Sequence, residues 1–571
     1  MRPSLRTRRE GRELARCTVL LAALSGCTKS VDSEQRARTD PARAPTSVPT
    51  PAPSRVQRYA LTNRFAYIPP QCYTKTRGEG GRASNPCYAC HVRSEPPNYV
   101  NDADLQLTLT LPVAAGLNPW TNLLDPPVAR APHATGDNVL AYVRRSNYFD
   151  DEGLTLARTL DGLPGDGGTG RHEWGGFRPD AWFSFDDRGF DHRPDGAFTG
   201  WRAFAYYPFL GTFFPTNGSM DDVLIRLDPR LQEDTDGRYD PRTYEINLAI
   251  VEALVTRRDV PVDPIDERRL GADLDLDGTF GRATRVVFGK GMHYVGRAGA
   301  EPAGTFACAP GLFPLNTEFL HSVRYLDVGH DGAITLAPRM KELRYAKKVR
   351  WLSGADLERM VAQENVEQTA SPDGVAYFVP QPDRGVYNGH GWLFQGFIEA
   401  ADGALRPQSY EETVACVGCH GGIGATTDSI FSLPRKLPAT SAARGWYHWS
   451  QHSLRGIPER RRRDGRYEYT LYLEETGAGD ELRENAEVLA RFFDEGGRLR
   501  PAEIARLHAD IGTLLLPSAE RAIDLDRAYQ AIVREQSFVR GRDAVLAAAS
   551  HVYAQAPVGE RTGIDKAVGP P

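Results

Sequence analysis

The spacing of hydrophobic and polar residues predicts both helices and strands in this chain. Residues 244–257 carry apolar side chains at helical spacing, which predicts an amphipathic helix. Residues 317–328 and 333–337 lie on either side of the turn-forming sequence Gly-His-Asp-Gly at 329–332, which predicts a β-hairpin. The chain therefore contains neighbouring strands as well as helices, and we find no internal repeat.

The second half of the chain is predicted to be mostly helical. Residues 339–368 have the pattern of two helices interrupted at Ser353-Gly354. Residues 467–475 alternate in the manner of a strand, and residues 485–553 are largely helical, with breaks at a pair of glycines and a proline. The prediction is an α+β fold with much irregular loop structure and a helical C-terminal region.

Composition supports a loop-rich globular protein. The 571 residues include 55 Gly and 41 Pro, which disfavours helical bundles, coiled coils and repeat solenoids. The aromatic, glycine-rich residues 136–240 are predicted to supply core. The formal net charge is −5, and residues 1–26 are basic, so the remainder of the chain is still more acidic. An acidic body is unsuited to a phosphate backbone, and we expect no nucleic-acid partner.

The N-terminus has the pattern of an export signal. Basic residues precede the apolar run 17–24, which is far shorter than the ~20 residues that span a bilayer. The run ends in Leu24-Ser25-Gly26-Cys27, which resembles the lipobox of bacterial lipoproteins. The resemblance implies a signal peptide at residues 1–26 and a lipid on Cys27, and an ordinary secretory signal is the alternative.

The proline-rich residues 27–57 are predicted to be a disordered tether between the anchor and the body. The predicted location is the bacterial cell envelope, with membrane contact through the lipid anchor only. Thr28, in place of Asp, indicates sorting to the outer membrane, facing the periplasm.

Two short cysteine motifs carry the predicted chemistry. Cys87 and Cys90 precede His91, and Cys416 and Cys419 precede His420, so that both segments read CxxCH. This motif is typical of c-type haem attachment, in which two thiols bind the porphyrin vinyl groups and the histidine binds the iron. Zinc is the alternative, but one shared zinc site would have to close across the long separation between the motifs.

With its export signal and two motifs, the sequence resembles bacterial dihaem c-type cytochromes. The resemblance covers about 40 residues and implies two haem c groups, electron transfer and redox partner proteins. The first haem segment is predicted at residues 58–384 and the second at residues 385–571. A dihaem oxidoreductase, peroxidase- or oxygenase-like with one haem open to substrate, is the alternative function, and an adhesion or scaffold lipoprotein is a third.

The distal haem ligands depart from the pattern of small cytochromes. No methionine follows His420, which argues against two tandem class I cytochrome c folds. His448 and His452 are the candidate distal ligands, because four residues apart on a helix they would share one face. Further options are histidines 133, 293, 321 and 390, together with Met292.

Three weaker signals complete the prediction. Apart from the cysteines of the N-terminal signal and of the two motifs, the chain has Cys72 and Cys308. Two such cysteines in an oxidising compartment predict a disulfide, with two buried thiols as the alternative. The loop Asp273, Asp275, Asp277 followed by glycine matches half of an EF-hand and is a candidate Ca²⁺ site. Basic residues are predicted on a solvated face, with haem propionates or an acidic redox partner as alternatives: Lys341, Arg344, Lys347, Lys348 and Arg350.

Overall fold

A computed structural model describes residues 61–571 except 78–85, 99, 131–135, 162–173, 211–214, 303, 382 and 478–484. Its helices are α1 Cys87–Cys90, α2 Gly136–Val143, α3 Thr155–Asp161, α4 Pro241–Thr256, α5 Arg297–Ala300, α6 Gly354–Ala370, α7 Tyr410–Val417, α8 Glu468–Thr476, α9 Ala486–Phe492, α10 Pro501–Ala509, α11 Gly512–Leu515 and α12 Ala519–Glu535. Its strands are β1 Phe149–Asp150, β2 Gly153–Leu154, β3 Phe190–His192, β4 Phe198–Ala203, β5 Met220–Asp221, β6 Leu224–Arg226, β7 Val260–Asp266, β8 Arg282–Val286, β9 Glu318–Val328, β10 Ile334–Lys348, β11 Val379–Gln381, β12 Gly385–Tyr387, β13 Trp392–Glu399 and β14 Leu405–Pro407.

One antiparallel sheet organises the body. Its strands follow the order β11, β12, β13, β10, β9, β6, β4 and β3, with β14 paired to β13 and β5 paired to β9. Strands β1 and β2, and strands β7 and β8, form separate two-stranded ribbons. With helices on and around this sheet, the predicted α+β fold is confirmed.

The predicted hairpin forms the centre of the sheet, but its second strand is much longer than predicted. Strand β10 continues to Lys348, so residues 339–348 are a strand and the prediction of a helix there is wrong. The polar side chains that suggested an exposed helix are buried and paired: Arg339, for example, donates to Glu399 of β13 at 2.6 Å. Tertiary pairing has overridden the local pattern.

Several predicted helices are confirmed. Helix α4 covers the amphipathic residues 244–257 almost completely and begins at an Asp240 cap, whose side chain accepts from two backbone N–H groups. Helix α6 follows Ser353, which forms a capping box with Asp356. Helices α9 to α12 make the C-terminal region helical as far as Glu535. The helix predicted to continue to residue 553 is wrong, because the chain after Glu535 forms turns and one short 3-10 helix, Phe538–Arg540.

The strand predicted at residues 467–475 is wrong, because this segment is helix α8. Its apparent alternation arises because some of its polar side chains are also buried. Glu468 is only 2% exposed and accepts from Arg435 at 2.9 Å. Tyr469, Tyr472 and the leucines between and after them fill the core around it.

The predicted boundary at 384/385 falls within the sheet. Strands β12 and β13, which follow it, pair with β11 and β10, which precede it. Residues 52–571 form one compact unit, so the two haem segments are not separate bodies. Cys27, the signal peptide and the predicted tether at 27–57 lie outside the described residues. None of the described helices is both long and apolar enough to cross a membrane.

Candidate functional site

The two CxxCH motifs, far apart in sequence, lie side by side in the fold. The backbone N–H of Ala425, just after the second motif, donates to the carbonyl of Cys90 in the first motif at 3.0 Å. The side-chain amide of Asn98, just after the first motif, donates to the carbonyl of Ile423 at 2.9 Å. The loops that leave the two motifs therefore hold each other through direct hydrogen bonds.

The first motif is a single helical turn. Helix α1 runs from Cys87 to Cys90, and the N–H of His91 donates to the carbonyl of Cys87 at 2.8 Å, which closes the turn. Nδ1 of His91 lies 2.5 Å from Oδ2 of Asp102 and donates to it, because a carboxylate only accepts. The side-chain amide of Gln106 holds the backbone of His91 by donating to its carbonyl oxygen at 2.6 Å.

The second motif begins at the end of helix α7, which starts with a capping box between Ser409 and Glu412. Cys416 lies in its last turn and Cys419 just beyond its end. Gly418, between the cysteines, faces the backbone of Tyr67, and a Cβ at this position would overlap the Tyr67 carbonyl oxygen. A side chain there would push the motif away from the N-terminal segment.

His420 has an aromatic and well-ordered environment. Its ring lies 4.9 Å from the ring of Phe394 and 5.3 Å from that of Phe431, between centroids. Nδ1 donates to the backbone carbonyl of Ser429 at 2.8 Å, and Asn388 donates to the His420 carbonyl at 2.8 Å. Burial lowers the pKa of His420 to about 4, so the ring is neutral at neutral pH.

An ion pair holds the loop that supplies the Ser429 carbonyl. Asp428 and Ser429 have left-handed φ angles of 52° and 62°, which are costly for residues with a Cβ. The Asp428 carboxylate is ion-paired with Lys348 of β10, and both side chains are about 1% exposed. Asp428 also accepts the N–H of Phe313 at 3.0 Å. The sheet thus fixes, through Lys348, the partner of the second motif's histidine.

Buried positive charge surrounds the second motif. Nη1 of Arg542 lies 3.9 Å from Sγ of Cys416, and both Arg542 and Arg344 donate to Glu342, at 3.0 and 2.9 Å. The prediction of a solvated basic face is therefore wrong for Arg344 and Lys348, which point into the protein. Two guanidinium groups sharing one carboxylate leave a net positive charge beside the thiol.

Three cysteines of the site, Cys72, Cys90 and Cys419, are protonated in the folded chain. Burial raises the pKa of the Cys72 and Cys90 thiols well above the usual value, and raises that of Cys419 to about 12. The neighbouring thiols of Cys87 and Cys419 raise the pKa of Cys72 further, so Cys72 lies beside both motifs. Buried thiols of this kind are poor nucleophiles, and attachment to a vinyl group therefore suits an unfolded or partly folded chain.

The predicted disulfide between Cys72 and Cys308 is not formed. Both residues are free thiols, and they lie in different parts of the core. Cys72 packs with the cluster around Tyr73 and Trp120, whereas Cys308 packs beside Tyr294. The two thiols are kept apart by the tertiary structure. An even number of cysteines in the sequence does not reveal where each one lies.

The donor groups fit haem c better than a shared zinc ion. Within the described ranges, the metal-ligating side chains whose donor atoms converge within 4.8 Å are Glu267, Asp273 and Asp275, and the motif thiols are not among them. Each motif instead offers a pair of thiols and one histidine. In the described part of the chain, His91 and His420 each have Nδ1 bound to an acceptor and no hydrogen bond at Nε2. This is the usual state of a histidine that ligates a metal through Nε2.

The predicted distal ligands, His448 and His452, do not lie on a helix. The stretch that contains His448 and His452 is a series of turns rather than a helix, so the two rings do not share a helical face. His448 is buried, with one ring nitrogen 2.8 Å from Oγ of Ser450 and the other 3.0 Å from the Asp222 carboxylate. His452 is exposed and packs on Tyr447. A ring nitrogen of His448 could bind iron only after giving up one of these two partners, and the distal role of both histidines stays a prediction.

Two of the other histidines lie closer to the motifs. The charge on His420 affects the pKa of His321, a β9 residue whose pKa is lowered to about 4, mainly by burial. His390 has Nδ1 3.1 Å from the carbonyl oxygen of Asn388, which itself binds His420. His293 is exposed, and His133 lies outside the described residues.

Comparisons with known proteins identify the family. A family model described as a "-like lipoprotein" matches residues 55–509. The chain belongs to this lipoprotein family. The lipoprotein is also similar to an "Uncharacterized lipoprotein" of Aquifex aeolicus (strain VF5), with 29% identity over 534 residues, or 83% of this chain and 85% of the relative. No solved structure matches the chain. Family membership makes the lipoprotein a lipid-anchored envelope protein.

The acidic loop that contains Asp273 and Asp275 lies beside a further carboxylate, that of Glu267. Glu267, which is 1% exposed, converges with Asp273 and Asp275, whereas Asp277 is not part of this group. Both carboxylate oxygens of Glu267 accept backbone N–H groups of the loop, including that of Leu274 at 2.6 Å. Burial and nearby negative charges raise the pKa of Asp275. Glu267, which precedes the loop, therefore offers a carboxylate in place of the twelfth-position glutamate that an EF-hand has and this loop lacks.

Gly424→Ala is expected to destabilise the folded lipoprotein by about 1–3 kcal/mol. A Cβ at this position would overlap the carbonyl oxygen of Val92, so the two motif loops must separate. Denaturant unfolding of the two proteins measures the difference. Gly421→Ala is the control in the same loop, because its Cβ would meet nothing closer than 3.3 Å. Equal stabilities for Gly424→Ala and the wild type would contradict the close contact between the motifs.

Proposed function

We propose that the lipoprotein is a dihaem c-type cytochrome that transfers electrons through two covalently bound haems. One haem is held by Cys87, Cys90 and His91, and the other by Cys416, Cys419 and His420. The observation that carries the proposal is the direct contact between the two motifs, through the Ala425 to Cys90 hydrogen bond. Haem groups attached to adjoining motifs lie close enough for one to exchange electrons with the other.

The haem iron supplies reversible one-electron chemistry, and the chain sets the conditions for it. Each pair of thiols fixes the porphyrin edge, and each histidine presents Nε2 while a hydrogen bond at Nδ1 sets the ring's orientation. Arg344 and Arg542 place positive charge beside the second motif, where it would favour the reduced, less positive state of a nearby iron. Redox partner proteins would supply and accept the electrons.

A haem oxidoreductase is the second candidate, and one observation favours it. His321 of β9 and Arg344 of β10 are directly paired in register, and both lie near His420, because, besides burial, Arg344 lowers the pKa of His420 and His420 contributes to the lowered pKa of His321. Burial and the Arg344 charge keep His321 neutral, and its partner Asp221 is 3.6 Å away. A neutral imidazole beside a guanidinium can accept a proton and stabilise developing negative charge, which an enzyme that cleaves a small oxidant requires.

Optical and EPR spectra of the purified protein distinguish the two functions. For an electron carrier we expect two low-spin, six-coordinate irons whose reduced spectra do not change with carbon monoxide. A high-spin signal that shifts with cyanide, together with turnover of peroxide, would favour the oxidoreductase. The variant His321→Ala should abolish that turnover. Arg350→Ala, at an exposed residue just after β10, should not.

We further propose that the lipoprotein is anchored in the outer membrane, facing the periplasm. Support comes from family membership and from Thr28, which follows the lipid-bearing cysteine in place of an aspartate. Separation of inner and outer membranes on a density gradient tests this location. Recovery in the inner-membrane fraction would contradict it.

We also propose that the loop formed by Glu267, Asp273 and Asp275 binds Ca²⁺. At a concentration 100 times the dissociation constant, Ca²⁺ should stabilise the fold by about 2.7 kcal/mol, because it binds the folded state only. Asp275→Asn should abolish this stabilisation, whereas Asp236→Asn, in an aspartate-glycine turn elsewhere, should retain it. Thermal unfolding with Ca²⁺ and with chelator measures the effect, and identical melting temperatures for the wild type would refute the proposal.

A further inference from the structure

The two motif histidines differ in the group that accepts their Nδ1–H. His91 donates to the carboxylate of Asp102 at 2.5 Å, whereas His420 donates to the neutral backbone carbonyl of Ser429 at 2.8 Å. The rest of the two histidine environments is built on similar lines, with an amide side chain on each His carbonyl. The charge of the acceptor therefore distinguishes the two histidines.

We propose that Asp102 gives the haem on Cys87 and Cys90 the lower reduction potential of the two, and so makes it the donor to the haem on Cys416 and Cys419. This inference rests on the proposed function. A carboxylate that accepts the ligand's N–H makes the imidazole a stronger donor and stabilises the oxidised, more positive iron. A carbonyl acceptor does so less, because it carries no net charge.

The geometry keeps Asp102 in position for this role. Its Oδ2 faces His91, while its Oδ1 accepts the N–H of Gly424 at 3.3 Å, so the loop after the second motif helps to orient it. The side chain is 11% exposed. Asp102 immediately precedes a turn of 3-10 helix, Ala103–Gln106, whose last residue holds the His91 carbonyl. Residues 102–106 therefore bind His91 through both its ring and its backbone carbonyl.

The negative charge of Asp102 is not offset by a nearby basic side chain. Of the described residues, His91 is its partner in the ion pairs, and no lysine or arginine is within ion-pairing distance. The second motif has the opposite surroundings, because Arg344 and Arg542 lie beside it. Negative charge at the first haem and positive charge at the second both lower the potential of the first relative to the second.

The direction of electron flow follows from this order. A redox partner protein would deliver one electron to the haem on Cys87 and Cys90, which would pass it to the haem on Cys416 and Cys419 and return to its oxidised state. A second partner would accept the electron from there. The internal step would move one electron and no proton, and no bond would form or break.

Potentiometric titration of the full-length protein in detergent tests the assignment. Asp102→Asn keeps the size and an acceptor oxygen but removes the charge. We expect the lower of the two potentials to rise by at least about 59 mV. For a one-electron couple this shift is a tenfold change in the ratio of reduced to oxidised iron at a fixed potential. The higher potential should stay constant. Asp104→Asn is the matched control, because it removes the same charge from an exposed side chain two residues away.

Two further variants make the result decisive. Cys416→Ala with Cys419→Ala retains the first haem alone, and its potential should match the lower wild-type value. Asp102→Glu retains the charge and should titrate closer to the wild type than Asp102→Asn does. If the asparagine variant does not fold, the protein with the first haem alone still tests the assignment, because a potential that matches the higher wild-type value would contradict it.

Three results would overturn the inference: unchanged potentials in Asp102→Asn, a shift in the second haem instead of the first, or equal shifts in the Asn and Glu variants. Each would leave the proposed function intact, because two covalent haems would still be present. Absence of covalent haem from the wild-type protein would instead refute the proposed function.

Discussion

Lys348→Met is expected to destabilise the fold by about 3–5 kcal/mol, because it leaves the Asp428 carboxylate buried without its cation. Both side chains of the pair are about 1% exposed, so water cannot replace the lost partner. Asp428 and Ser429 also have left-handed backbone conformations that depend on this anchor. Unfolding in guanidinium chloride gives the difference in free energy.

The neighbouring lysine is the control for this experiment. Lys347 is 36% exposed and pairs loosely with Glu318 at 3.4 Å, so Lys347→Met should cost less than about 1 kcal/mol. A similar small loss for Lys348→Met would show that the ion pair does not hold the loop. A large loss in both variants would indicate that the strand, rather than the pair, is sensitive to substitution.

Cys27→Ala is expected to release the protein from membranes almost completely. The chain belongs to a lipoprotein family, and none of the helices in the described ranges can replace a lipid anchor by spanning the bilayer. Fractionation into soluble and membrane material, followed by immunoblotting, measures the change. Cys17→Ala, in the apolar part of the same signal, should leave the protein in the membrane fraction. Cys27→Ala that still pellets with membranes would exclude the lipid as the anchor.

The local elements of the fold were largely predictable from the sequence. Helix α4 and the hairpin of β9 and β10 have strong periodicity and clear turn residues, and both formed. Predictions failed where polar side chains are buried. The continuation of β10 beyond residue 339 and helix α8 both carry charged residues that have partners distant in the chain. A periodicity argument assigns such residues to the solvent and therefore mistakes the element.

The motif residues of the site were predictable, but their surroundings were not. Two CxxCH segments identify six residues by spacing alone, whereas nothing local marks Asp102, Lys348 or Ser429 as their supports. Contacts between residues hundreds of positions apart depend on the strand order of the sheet, which the sequence pattern does not specify. The same reason explains why the contact between His448 and Asp222, which come from different parts of the chain, was not predicted.

The large sheet supplies groups that surround the second motif. Strand β13 carries Phe394, strand β10 carries Arg344 and Lys348, and helix α7 with the second motif follows β14 directly. The first motif is covered from the other side by the C-terminal tail, whose Val568 carbonyl accepts from Gln106 at 2.9 Å. The sheet and the tail together bring the two motifs into contact.

The intact mass of the mature protein, made in cells that attach haem outside the cytoplasm, tests the central claim most directly. The account predicts the lipidated chain plus two haem groups, with haem staining retained on a denaturing gel. Cys87→Ala with Cys90→Ala should remove one haem, and Cys416→Ala with Cys419→Ala should remove the other. A wild-type mass with one haem or none, or zinc in place of iron, would contradict the account.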